Sequence, residues 1–369
     1  MPDAIWIGRD EPLASLAETL ARHASIGLDT EFLRERTFFP KLCLLQLAAG
    51  DTVWCIDTLR DAGRDGGLEA LVAPLTAAVP LKVIHSARQD LEAFYLSVKR
   101  IVAPVFDTQI AAGCVGLKPQ IGYAELVKTV LDVTLTKGQT RTDWSRRPLS
   151  VEQLRYAADD VRYLNEVAER LGARLKSLGR ERWAAEDCAA LADPLLYEPD
   201  PEQAWRRLRG LHQLAPAAQA RARALAVWRE RAARARDLPR GWILDDAGIF
   251  KLAVANPASR EAITTALSLP KAMNEALANG VLDALHQAPA EDAAQRELAR
   301  DPRPSPEQRA LIDRLAGVVD ARARALEVSA EILAPRGELK ALALGERGLP
   351  SLGGWRREEI GERLLAALE

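Results

Sequence analysis

The sequence predicts an α/β domain with a mixed sheet, followed by two all-α helical domains. Three observations carry this. Short apolar runs alternate with helical spacing between residues 25 and 178, proline clusters interrupt the chain at 193–201 and 301–306, and the stretch after each cluster reads as helical throughout. With 369 residues, 48% of them hydrophobic and 28% charged, the chain has enough apolar material for more than one core. The expected domains are 1–192, 199–284 and 303–369.

Residues 25–32, 41–48 and 51–57 are short and rich in apolar side chains, as strands are, and Gly50-Asp51 marks a hairpin turn between the last two. An antiparallel meander follows from these. A helix is expected near 67–78, a strand at 81–85, a helix from about 87 to 98 and a short strand near 102–106. From there to about 178 the spacing is mostly helical, as Leu154, Ala157, Ala158, Val161 and Leu164 illustrate. The two later stretches read as divergent copies of one module. Arg221-Ala-Arg-Ala-Leu225 pairs with Arg322-Ala-Arg-Ala-Leu326, and Pro-Arg-Gly occurs at 239–241 and again at 335–337.

The first ten residues contain neither a basic leader nor a long apolar run, so a cytoplasmic location is expected. The longest stretch poor in charge, 101–117, contains Pro104 and Asp107 and is shorter than the roughly 20 residues that cross a bilayer. No membrane association is expected. Cysteines 43, 55, 114 and 188 form no Cys-x-x-Cys pair and read as reduced core residues. A net charge of −2 provides no general attraction for nucleic acid, so any such affinity must come from local patches.

Four acids stand out: Asp29, Glu31, Asp90 and Asp160. On an extended strand Asp29 and Glu31 point to one side, while Leu28, Thr30 and Phe32 face the other. Paired carboxylates on a buried strand require compensation, and bound cations supply it. Tyr156 and Asp160 lie one helical turn apart and share a face, so a phenol and a carboxylate reach one cavity. Asp159 is its exposed neighbour or an assisting partner. Asp90 opens a helix, where an acid also suits the helix dipole. His85 has no second histidine at ligand spacing, so zinc is not expected. Oxygen ligands of this kind select two Mg²⁺ or Mn²⁺ ions, whose chemistry is phosphodiester cleavage.

The sequences around these acids extend the pattern: residues 29–34 (DTEFLR), 37–46 (TFFPKLCLLQ), 85–92 (HSARQDLE), 106–109 (FDTQ), 142–149 (TDWSRRPL) and 156–164 (YAADDVRYL). Together they resemble the ribonuclease D family, in the tyrosine-containing branch of the DEDD exonucleases. The resemblance spans nearly the whole chain. It implies a ribonuclease H-like exonuclease fold, with Asp29, Glu31, Asp90 and Asp160 as metal-site acids and Tyr156 positioning water. The helical stretches resemble HRDC domains, the first more closely than the second. An activity releasing nucleoside 5′-monophosphates from RNA 3′ ends, with transfer-RNA precursors as partners, is what the resemblance implies.

Arg34, Lys41, Lys137, Arg141, Arg146 and Arg147 are candidates for backbone phosphates, Phe32 and Phe94 for stacking on the terminal base, and His85 for a hydrogen bond near the site. Arg206, Arg207, Arg209, Arg221 and Arg223 extend a basic path into the first helical module. No obligate protein partner is evident and a monomer is expected. The alternatives are a DNA proofreading or repair exonuclease and a non-catalytic RNA-binding scaffold. No residue in the sequence distinguishes a ribose 2′-hydroxyl.

Overall fold

The computed structural model describes residues 4–8, 13–59, 68–135, 142–268, 274–288 and 304–369. They form two compact units, one of Met1–Leu33, Lys41–Tyr197 and Pro304–Glu369, the other of Arg34–Pro40 and Glu198–Arg303. No helix among the described residues is long and apolar enough to cross a membrane.

Among the described residues the first unit contains six strands, β1 (Ile5–Ile7), β2 (Ser25–Leu33), β3 (Lys41–Ala49), β4 (Thr52–Asp57), β5 (Leu81–Ile84) and β6 (Val105–Asp107). They lie in the order β1-β4-β3-β2-β5-β6. The β2–β3–β4 meander is antiparallel and the other pairings are parallel, so the sheet is mixed. Gly50 takes a φ of 55° in the β3–β4 turn, a conformation that glycine adopts without strain. Strand β1, with only three residues, lies outside the expected elements, as does the helix that follows it.

Around the sheet lie α1 (Leu13–Leu20), α2 (Glu69–Thr76), α3 (Arg88–Val98), α4 (Thr108–Cys114), α5 (Tyr123–Leu131), α6 (Val151–Arg162), α7 (Leu164–Leu178) and α8 (Glu181–Ala190). One core joins Ile26, Leu28, Leu45 and Leu47 to Leu20, Leu91 and Phe94. Another joins Leu44, Ala48 and Val83 to Ala157, Ala158 and Val161 of α6. Cover on both faces explains why β3 is apolar almost end to end instead of alternating. At Gly27 a Cβ would stand 3.0 Å from the Val161 carbonyl oxygen and 3.2 Å from the Leu164 Cβ, so a larger residue would press the start of α7 and the end of α6 away from β2 by a few tenths of an ångström.

Helices α9 (Pro216–Arg236), α10 (Arg240–Ile243), α11 (Asp246–Ala255), α12 (Arg260–Leu267) and α13 (Glu275–His286) build the second unit. Leu225, Ile249, Leu252, Ile263 and Val281 form its core. Glu230 is buried, yet its carboxyl is held below the usual range: burial pushes it up, and Arg240, Arg207 and Arg234 more than offset that. The 34–40 segment is part of this unit. The Phe38 and Phe39 N–H groups both donate to the Asp237 carboxylate at 3.0 Å, and Phe38 packs with Ala233 and Ile243.

Residues 306–343 form α14 (Pro306–Leu326), α15 (Ala330–Leu333) and α16 (Arg336–Ala343). The three-part division expected from the proline clusters differs from the two units observed. Leu315, Val319, Leu339 and Trp355 share one core with Leu126, Leu171, Leu175 and Trp183, which folds the last segment into the first unit. Trp183 and Trp355 stack with ring centroids 4.2 Å apart, and Arg356 grips Asp187 with two bonds of 2.6 and 2.8 Å.

The internal repeat is visible in the elements, in a register other than that of the matching motifs. Helices α9 and α14 both have 21 residues, begin on proline and end at a left-handed C-cap, Asp237 and Glu327 respectively, and a four-residue helix follows each. Pro216 and Pro306, Arg240 and Ala330, and Asp246 and Arg336 are each 90 residues apart. By contrast, Pro-Arg-Gly starts α10 in the first copy and α16 in the second. Helices rich in alanine and arginine imitate each other locally, so the motif match was out of register.

Candidate active site

Asp29 and Glu31 lie on the face of β2 that is covered by α6. On that face Gly27 meets Val161 and Leu164, whereas Leu28 packs with Leu91 and Phe94 on the other. Tyr156 and Asp160 are on α6, which starts with a capping box made by Ser150 and Gln153 and packs Ala157, Ala158 and Val161 onto the sheet. The one-turn spacing brings the two side chains together, so that burial first and then the Asp160 charge raise the Tyr156 phenol. Trp144 stacks behind the Tyr156 ring at 6.1 Å. One oxygen each of Asp29, Glu31 and Asp160 lies within 4.8 Å of the others.

Asp90 stands beside this trio. It is buried in the first turn of α3 and accepts a 2.6 Å hydrogen bond from Thr30 Oγ1. Its charge is felt by all three, since burial first and then neighbouring carboxylates, Asp90 among them, raise Asp29, Glu31 and Asp160. Glu31 is pushed up to about 8, and Asp160 to about 7. Burial also lifts Asp90 to about 7, against the lowering effect of the Thr30 hydrogen bond. Four acids this close and this buried resist ionisation unless positive charge joins them. The trio is made of oxygen donors alone, which fits hard divalent cations.

A 3′-5′ exonuclease family model matches residues 4–176, and an HRDC domain model matches 218–285. Ribonuclease D of Xanthomonas oryzae pv. oryzae is 40% identical over 368 residues, covering 99% of this chain and 98% of that one. The chain belongs to the ribonuclease D family. Ribonuclease D of Gluconacetobacter diazotrophicus is 38% identical, covering 99% of this chain and 93% of that protein. The crystal structure of Escherichia coli RNase D, described as an exoribonuclease involved in structured RNA processing, superposes with a TM-score of 0.85. Its sequence is 29% identical, and the match covers 100% of this chain and 99% of that one. The activity is that of a 3′-5′ exoribonuclease.

Several candidates for contacting substrate are committed elsewhere. Phe94 is fully buried among Leu28, Leu91 and Leu45, so it packs the sheet and cannot stack on a base. His85 engages Thr108 Oγ1 at 2.9 Å through Nδ1 and the Ile121 carbonyl at 3.0 Å through Nε2, so both ring nitrogens serve the fold. Arg147 is bound bidentately by Asp57 at 2.6 and 2.9 Å and also donates to the Cys43 and Trp144 carbonyls. It secures the 143–149 loop and is not available to a phosphate. Arg146 and Lys41 are exposed, Phe32 is half-buried, and Arg34 belongs to the second unit. Lys137 and Arg141 lie outside the described residues. Asp159 pairs with Arg162 at 3.2 Å and touches the site only through its charge on Asp160. Of the expected basic path, Arg207 pairs with Glu230, Arg221 donates to the Ala253 carbonyl, and Arg206 and Arg223 lie over the Trp205 ring.

Two residues that support the site lie in quoted motifs but were given no role by the sequence. Thr30 reads as an ordinary strand residue facing away from the acids, yet from that face it holds Asp90. Asp107 accepts from the Ser86 and Ala87 N–H groups at 3.0 and 2.8 Å and from Gln109 at 2.8 Å. It caps α4 and at the same time fixes the turn that leads into α3 and Asp90. The Asp107-Thr108 pair before a helical stretch is an N-cap signal, so half of this role was legible.

Proposed function

We propose that this 3′-5′ exoribonuclease trims the 3′ ends of structured RNAs, transfer-RNA precursors among them, releasing nucleoside 5′-monophosphates. In this reading Asp29, Glu31, Asp90 and Asp160 hold two divalent cations, Mg²⁺ or Mn²⁺. The observation that supports it most is the convergence of Asp29, Glu31 and Asp160 oxygens within 4.8 Å, with the Tyr156 phenol close enough to feel the Asp160 charge. When bound, such ions supply an activated water and stabilise the departing oxygen of the phosphodiester.

Burial and the Asp160 charge hold the Tyr156 phenol well above its ordinary range. It therefore stays protonated at neutral pH and orients the attacking water as a hydrogen-bonding group, leaving proton removal to another base. Thr30 keeps Asp90 turned toward the trio, and Trp144 limits the swing of Tyr156. The HRDC domain contributes nucleic-acid affinity beyond the catalytic site, and the reading takes 303–369 as a second copy of it. A cytoplasmic monomer is part of the same reading.

The experiment is a time course on 3′-labelled structured RNA and a DNA of matched sequence, with Mg²⁺ or Mn²⁺. The expected result is stepwise release of 5′-monophosphates from RNA in preference to DNA, abolished in Asp160→Asn while its circular dichroism is unchanged. Undiminished release by the pure Asp160→Asn protein sinks the site assignment, and preference for DNA sinks the substrate.

A further inference from the structure

Gln46 is fully buried on β3, and neither Nε2 nor Oε1 of its side chain has a hydrogen-bond partner. An unsatisfied buried amide is costly, and leucine or methionine would fill the same space without that cost. Such a group calls for an explanation specific to its position. In the β2–β3 ladder Gln46 is the direct partner of Asp29. Residues opposite each other in an antiparallel pair point to the same face, with Cβ atoms about 5 Å apart. Its neighbours along that face, Leu44 and Ala48, belong to the apolar cluster beneath α6. A second amide marks the same flank: Asn165 Nδ2 donates to the Ala48 carbonyl at 3.1 Å, while Asn165 Oδ1 is also without a partner.

We propose that Gln46 is a positioning residue for Asp29: its amide holds a buried water that bridges to the Asp29 carboxylate and keeps it aimed at Glu31 and Asp160. An amide offers both a donor and an acceptor and so can hold a water on one side while that water donates to a carboxylate on the other. A carboxylate at 46 would add a further negative charge, and an apolar residue would leave Asp29 free to turn. The inference rests on Asp29 belonging to the metal-binding set.

The test uses the full chain, stripped of metal, as wild type, Gln46→Leu, Gln46→Met and Asp29→Asn. Calorimetric titration with Mn²⁺, the thermal midpoint in EDTA, and kcat and KM on 3′-labelled RNA are measured for each. Both apolar variants are expected to keep or raise the midpoint in EDTA, to bind Mn²⁺ about tenfold more weakly and to lose about 10- to 100-fold in kcat. Their KM for RNA stays within about twofold of wild type, because no substrate contact is removed. Wild-type Mn²⁺ affinity and kcat in either folded variant overturns the proposal, as does failure of both variants to fold. Wild-type Mn²⁺ affinity in Asp29→Asn would instead overturn the metal-site reading itself, whatever Gln46 does.

Discussion

At the residue scale the site is governed by carboxyl groups that prefer to be neutral. Glu31 is raised to about 8, Asp90 and Asp160 to about 7, each chiefly by burial. In the unfolded chain these groups titrate near 4, so between about pH 4 and 8 the folded protein binds more protons than the unfolded one. The stability these groups contribute is therefore present at low pH and lost as pH rises through the folded values. Metal-free protein is expected to melt at a lower temperature at pH 8 than at pH 5.5, with Mg²⁺ raising the midpoint more at pH 8. Scanning calorimetry in EDTA and in Mg²⁺ checks this, and an equal Mg²⁺ effect at both values contradicts it. Thr30→Val removes the hydroxyl that donates to Asp90 and is expected to cost about 10- to 100-fold in activity or metal affinity, with little change in fold. Full activity with Mg²⁺ near saturation and below it would show that Asp90 needs no such support.

At the scale of elements, the β5–α3 turn shows how the end of one strand positions the helix that carries Asp90. Ala87, the N-cap of α3, has no side chain able to cap. The acceptor comes instead from Asp107 at the end of β6, which takes the Ser86 and Ala87 N–H groups while capping its own helix. Asp107→Ala orphans several buried donors at once and is expected to destabilise the protein by about 3 kcal/mol, measured by chemical denaturation. A loss below about 0.5 kcal/mol would mean that water replaces the carboxylate there. The meander, β5 and α3 were legible because apolar runs, a Gly-Asp turn and helical spacing are local signals. Strand β1 was not, because three residues carry too little pattern and pair with β4 some fifty positions away.

At the scale of the molecule, the proline-rich break before residue 304 suggests a linker to an independent domain, yet the segment beyond it completes the core of the first unit. Trp355 is only 1% exposed and stacks on Trp183, so Trp355→Ala is expected to cost about 3–5 kcal/mol in unfolding free energy. A denaturant midpoint unchanged from wild type would show that the last segment contributes nothing to the first unit. The Arg356–Asp187 pair makes the same connection through charge, and neither residue belongs to a motif that sequence reading singles out.

By itself the sequence determined the mixed sheet, the helical modules and the pairing of Asp29 with Glu31 and of Tyr156 with Asp160, because each depends on spacing within one strand or one helical turn. Asp29 and Glu31 share a face through the two-residue period of β2, and Tyr156 and Asp160 through the four-residue turn of α6. Only the tertiary structure decided which basic and aromatic residues were free to meet a substrate. It buried Phe94, gave Arg147 to Asp57 and His85 to Thr108, and set Thr30, Asp107 and Gln46 around the acids. Burial and hydrogen bonding between residues tens of positions apart are properties of the packed chain, and no local period encodes them.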